Sequence, residues 1–85
     1  MILLDDGPRQ IEELGRAATG GDVAATRRSA HSLKSAVATA GGIGASTALG
    51  ELERAGEDML PGAYARTRRA WDRFADELRA WLRAG

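Results

Sequence analysis

The chain of 85 residues has no cysteine, a single histidine, two prolines and few aromatic rings (two Trp, one Tyr, one Phe), and its formal charge at neutral pH is zero. Each scarcity removes a class of protein. Without cysteine there is no disulfide framework, no thiolate metal site, no thiol nucleophile and no sign of an oxidising compartment. With so few rings, the core has to be built from closely approaching helices instead of large side chains. The charge balance argues against nucleic acid or an anionic membrane as the main partner. The longest apolar run at the amino end, Met1-Ile2-Leu3-Leu4, stops at Asp5 and Asp6. That is too short for a signal peptide or a membrane span, so a cytoplasmic chain without membrane insertion is expected. The run itself reads as a small apolar cap on the open end of a bundle or as the remnant of a longer chain.

What is present is 44% hydrophobic residues, many of them alanine, in a length that suits one domain over residues 1–85. The zero net charge hides an alternation. Residues 1–22 carry five acids against Arg9 and Arg16, a balance of −3, and residues 23–40 carry Arg27, Arg28 and Lys34, a balance of +3. Residues 51–58 return to −3 (four acids, Arg54), and the last segment is +3 (six arginines, three acids). Alternating signs suit helices packed antiparallel, with the second of them locally basic.

Four helices are predicted. The first is short, with Pro8 early in it, Asp5 or Asp6 capping the turn before, and Ile11, Leu14 and Ala18 on its apolar face. Gly20-Gly21 reverses the chain, and Asp22 caps a second helix over residues 22–40. That helix shows an apolar seam of Val23, Thr26, Ala30, Leu33, Val37 and Ala40. The glycines of Gly41-Gly42-Ile43-Gly44 break it. A third helix aligns Ile43, Ala45, Leu49, Leu52, Gly56 and Met59; Gly50 and Gly56 weaken it by about 1 kcal/mol each unless a neighbouring backbone packs there. Leu60-Pro61-Gly62 is read as the next connection. The fourth helix carries the strongest stripe, Thr67, Ala70, Trp71, Phe74, Leu78, Trp81 and Leu82, with Trp71, Phe74 and Trp81 expected in the core. Its arginines are expected to form a solvated face paired with acids at i,i+4. The fold class is an all-α, antiparallel, up-down four-helix bundle.

His31 lies off the seam, about 130° from its centre, facing water or a partner. Several roles compete for it. A metal ligand needs companions, and there is no second histidine and no cysteine. A general base needs a nucleophile and an orienting acid, but Ser32 and Ser35 do not converge on it, and a small bundle offers no substrate cleft. A plain surface histidine with no role is the third possibility. The remaining role is nucleophile, receiving a phosphoryl group on an exposed imidazole nitrogen with cations nearby; Lys34, Arg27 and the small neighbours Ala30, Ser35 and Ala38 suit that chemistry.

Ala30-His31-Ser32-Leu33-Lys34-Ser35 resembles the A-H-x-L-K-[GS] signature of the histidine phosphotransfer (HPt) domains of multistep two-component phosphorelays. Asp22 matches an acidic helix start in that family, Gly41 its turn glycine, and Leu52-Glu53 its Leu-Glu pair, so the resemblance runs from about Ile11 to Leu82. Ala40 and Ala45 stand where the family has larger aliphatic residues. The resemblance implies that His31 is the phosphoacceptor, that Lys34 stabilises phosphate charge or orients the partner, and that Arg27, Ser35, Ala38 and Gly41 belong to the docking surface. The implied partners are response-regulator receiver domains and a hybrid sensor histidine kinase, with Mg²⁺ bound by the receiver and no cofactor on this chain. A monomeric phosphocarrier without an ATP site follows, since Gly41-Gly42-Ile43-Gly44 lacks the lysine and preceding strand of a phosphate loop. Two alternatives stay open. One is an HPt-like interaction or inhibitory module that is never phosphorylated. The other, a dimerisation domain of a sensor kinase, is disfavoured by Ser32 directly after the histidine and the absence of proline before Pro61.

Overall fold

The computed structural model of the chain describes residues 2–84, with Ile2 described by its backbone alone. Four helices follow one another: α1 (Ile2–Thr19), α2 (Val23–Thr39), α3 (Ile43–Arg54) and α4 (Leu60–Ala84), with a single 3-10 turn, Glu57–Met59, ahead of α4. Each packs against its neighbour in sequence, and α1 packs against α4 to close the ring, as in an up-down bundle. The body measures 42 × 19 × 18 Å.

The second helix forms much as its sequence dictates. The Asp22 carboxylate accepts from the Ala25 amide at 3.0 Å, answering one of the free donors of the first turn. Thr26, Ala30, Leu33 and Val37 are buried. The Thr26 hydroxyl is satisfied by donating to the Asp22 carbonyl at 2.7 Å. Both reversals use a glycine with positive φ, Gly21 at 74° and Gly41 at 86°, a conformation that L side chains avoid.

The first helix is longer than expected. It runs 18 residues, so Pro8 sits inside it, and Asp5 and Asp6 are helical residues instead of caps. Pro8 withdraws the amide that would answer the Leu4 carbonyl, yet continuous apolar contact beyond it keeps the helix going. Leu3 and Leu4 are half-buried against the core and extend α1 along the bundle. Met1 and the side chain of Ile2, the rest of the expected apolar cap, lie outside the described residues. The close approach of α1 to α4 depends on small residues. A Cβ at Gly7 would fall 2.2 Å from Cη2 of Trp71, and one at Gly15 would fall 2.6 Å from the Tyr64 ring, whose hydroxyl donates to the Ile11 carbonyl at 3.0 Å. Few aromatic rings suffice, because Trp71, Tyr64 and Phe74 each lie over a glycine, Gly7, Gly15 and Gly42.

The third and fourth helices differ from expectation at their ends. Helix α3 stops at Arg54 because Ala55 and Gly56 are extended, so Gly56 and Met59 lie outside it. Its buried residues are Ala45, Leu49, Gly50 and Leu52; Ile43, two residues before Ala45, points the other way and is 80% exposed. The connection is the segment 55–59, and Leu60-Pro61-Gly62 is the first turn of α4, where proline needs no amide partner. Leu60, Ala63, Thr67, Trp71 and Ala75 are the buried residues of α4. At 25 residues α4 is about 37 Å long, against about 26 Å for the 17 residues of α2. Its last turns therefore project past the bundle: Trp81, expected in the core, is 71% exposed, and Leu82 is 44% exposed. Of the α4 arginines, Arg68 pairs with Asp72 at i,i+4 and also with Glu12 of α1, while Arg79 pairs with Asp76 at i,i+3. Such exposed pairs each contribute about 0–1 kcal/mol.

Candidate functional site

Leu33 and Ala30 anchor the middle of α2 in the core, which fixes the direction of the residues between and around them. His31 is turned outward, its side chain 66% exposed. Its Nδ1 lies 3.0 Å from Oε1 of Glu53, near the end of α3. The other carboxylate oxygen, Oε2, accepts from Nζ of Lys34 at 2.7 Å. The backbone carbonyl of Glu53 accepts from Nε of Arg27 at 3.2 Å. One residue of α3 thus gathers three side chains of α2, spaced so that all leave the same flank of that helix.

Glu53 is three-quarters buried and its acidity is raised: Lys34, by hydrogen bond, is the largest cause holding its carboxyl below the ordinary 4.5, partial burial opposes this, and the hydrogen bond with His31 adds to the lowering. The group is a carboxylate at neutral pH. An ionised carboxylate only accepts hydrogen bonds, so Nδ1 of His31 must be the donor. In the neutral imidazole the lone pair is then on Nε2, which faces away from Glu53. An exposed ring with a fixed tautomer and a free Nε2 can act as a nucleophile.

The other residues singled out from the sequence occupy different places. Ser35 is exposed and donates to the His31 carbonyl at 3.3 Å, one turn back along its own helix. Ala38 is exposed two turns from His31 on the same face, and Gly41 is exposed in the turn beyond, with no atom within 4 Å of a Cβ built on it. Arg27 and Lys34 are brought together with His31; Ser35, Ala38 and Gly41 extend as a small-residue surface beside it. Gly50 is buried, and what lies over it is side chain and not a neighbouring backbone: an added Cβ would be 3.5 Å from the Arg54 guanidinium and 3.7 Å from Cδ of Lys34.

In the sequence Glu53 stands out only as half of the Leu52-Glu53 pair. Its neighbours Glu51 and Glu57 are acids too, and nothing in helical periodicity distinguishes the one that reaches His31. The signal that separates them is its position directly after the buried Leu52, which puts it at the rim of the α2–α3 contact.

Among the described residues, no three His, Cys, Asp or Glu side chains group as a metal site would, and no helix is long and apolar enough to cross a membrane. Compared with known families, residues 1–84 match the one described as Hpt domain. No curated protein and no solved structure matches the chain.

Proposed function

Because this chain belongs to the Hpt domain family, the histidine phosphotransfer domains of phosphorelays, we propose that it is a phosphorelay intermediate. It takes a phosphoryl group onto Nε2 of His31 from the aspartyl phosphate of one receiver domain, such as that of a hybrid sensor histidine kinase, and passes it to the aspartate of a response regulator. The observation that carries this reading is the Glu53 carboxylate on Nδ1 of an otherwise exposed His31. The lone pair of Nε2 attacks phosphorus; the N–P bond forms as the bond from phosphorus to the aspartate oxygen breaks, and the aspartate leaves as a carboxylate. The ring becomes positively charged with its proton still on Nδ1, and the Glu53 carboxylate offsets that charge.

The direction of the Glu53 shift has a consequence for the second transfer. A carboxyl held below its ordinary range is a weak base, so the proton stays on the ring. From a protonated phosphoimidazole the ring departs as neutral imidazole, a better leaving group than imidazolate, which keeps the phosphoryl transferable. Lys34 serves this by holding Glu53 ionised and in place, and Arg27 secures the end of α3 through its carbonyl. The small exposed surface of Ser35, Ala38 and Gly41 leaves room for a receiver, whose own Mg²⁺ and acidic pocket would supply the remaining electrostatics. All four helices come from one chain, so a monomer suffices for this chemistry.

Transfer from a phosphorylated receiver tests the reading. Wild type should be labelled, His31→Gln should not, and Lys34→Ala should be labelled more slowly with unchanged helicity by circular dichroism. Label on His31→Gln, or a receiver that associates with wild type without transferring, would overturn it; the second result would make the chain an interaction module.

A further inference from the structure

The two flanks of His31 are chemically different. Around the α2 cylinder, Lys34 and Arg27 fall about 40–60° to one side of His31, and Arg28 and Ser35 fall by the same angles to the other. The first side faces α3 and is closed by the Glu53 contacts. The second faces α1. There Arg28, Ser29 and Ser32 line a groove of about 300 Å³ together with Arg9, Gln10 and Glu13 of α1.

In that groove the charges are unequally satisfied. Arg9 bonds Glu13 at 2.9 Å, which answers the only acid there. Arg28 is exposed and has no hydrogen-bond or ion-pair partner among the described residues. On the opposite flank, Lys34 and Arg27 are already engaged with Glu53. Since Nδ1 is held toward α3, a group on Nε2 lies away from Lys34 and toward solvent and the α1 side.

We propose that Arg28 is the residue of this chain that binds the phosphoryl group carried on Nε2 of His31, at the mouth of the α1–α2 groove. The inference rests on the reading of His31 as phosphoacceptor. A guanidinium one turn before the histidine offers paired N–H donors in the fork that matches two phosphoryl oxygens, and it is free to do so without first breaking another contact. The phosphoryl group then faces Arg28 on its own helix and Arg9 with Glu13 on α1, while Lys34, Arg27 and Glu53 stay on the far side of the ring. Lys34 acts on the reaction through Glu53; Arg28 acts on the phosphate directly.

The test is ³¹P NMR of the whole chain phosphorylated by phosphoramidate, a small donor that needs no partner protein, with His31→Gln as the blank. The phosphoryl resonance is followed against pH in wild type, Arg28→Gln, Arg28→Lys and Lys34→Gln, with circular dichroism to establish that each is folded. A cation against the phosphoryl favours its dianion, so Arg28→Gln should raise the titration midpoint by about half a unit or more, and Arg28→Lys should fall between. Lys34→Gln should move it less than Arg28→Gln does. A labelled Arg28→Gln that titrates like wild type, or a larger shift in Lys34→Gln, would overturn the assignment of Arg28 and leave His31 as the acceptor. A wild type that takes no label under conditions where free imidazole does would overturn the reading of His31 itself, and this one with it.

Discussion

Replacing Gly7 by alanine adds one methyl group to the α1–α4 contact, and its cost follows from the geometry. The new Cβ would stand 2.2 Å from Cη2 and 2.6 Å from Cζ2 of Trp71, where carbon atoms rest at about 3.5–4.0 Å. Either the indole or α1 has to move by more than an ångström. The indole has nowhere to go, being 4% exposed and packed at 5.9 Å, centroid to centroid, against Phe74. Overpacking of this kind costs about 1–3 kcal/mol, and the severity of the overlap puts Gly7 at the upper end. Alanine recovers about 1 kcal/mol through its better helix propensity. The net is a destabilisation of about 1–2 kcal/mol, which for a chain of this size lowers the melting temperature by roughly 4–16 °C. Gly44→Ala is the internal control. It sits in α3 with no atom within 4 Å of the added methyl, so it should be neutral or stabilising by up to about 1 kcal/mol. Thermal unfolding followed at 222 nm reads both. In a Trp71→Leu background the Gly7→Ala penalty should largely vanish, a coupling that a double-mutant cycle isolates. A Gly7→Ala protein as stable as wild type, or a penalty that persists without the indole, would refute the packing described for α1 and α4.

Further outcomes are expected nearer the site. Glu53→Gln removes the negative charge facing Nδ1 of His31 while keeping the shape, so transfer onto His31 should slow by about tenfold, the lower end of what carboxylates that orient metal-bound histidines contribute, as read by single-turnover labelling; an unchanged rate would remove Glu53 from the mechanism. The same carboxyl makes stability depend on acid. Its folded value lies below the ordinary 4.5, so its contribution is complete above that pH and is lost as the pH falls through the lower folded value. The gap in stability between wild type and Glu53→Gln, measured by urea titration, should therefore shrink as the pH falls below 4.5. Asp22→Ala removes the cap of α2 and should cost about 1 kcal/mol while leaving the rate of phosphotransfer from a receiver unchanged, because His31 is held by Leu33 and Glu53 well away from the first turn.

The sequence made the helices legible where one face is buried and the ends are marked by residues with a single physical role. Asp22 as a cap and Gly41 as a left-handed residue bound α2 without tertiary information, and the seam of Thr26, Ala30, Leu33 and Val37 is its buried face. Where an end is decided by packing, local sequence misplaces it. Pro8 looks like a start because its amide is missing, but the contacts of Leu3 and Leu4 carry α1 past it. Leu60-Pro61-Gly62 looks like a turn by composition and is a helix start by position. Trp81 continues a perfect stripe along α4, and only the shorter lengths of the other helices reveal that the stripe outruns the core. At the site, the outward direction of His31 could be computed from spacing alone. The contact with Glu53 could not, since it joins residues 22 apart across two helices whose relative register is a property of the bundle.

The projection of α4 past the bundle also gives the protein two tryptophans that report on different things. Trp71 is sealed in the core and Trp81 stands in solvent. Iodide should quench the second and spare the first, so the fluorescence of the unmodified chain divides into a part that senses unfolding and a part that senses whatever approaches the last turns of α4.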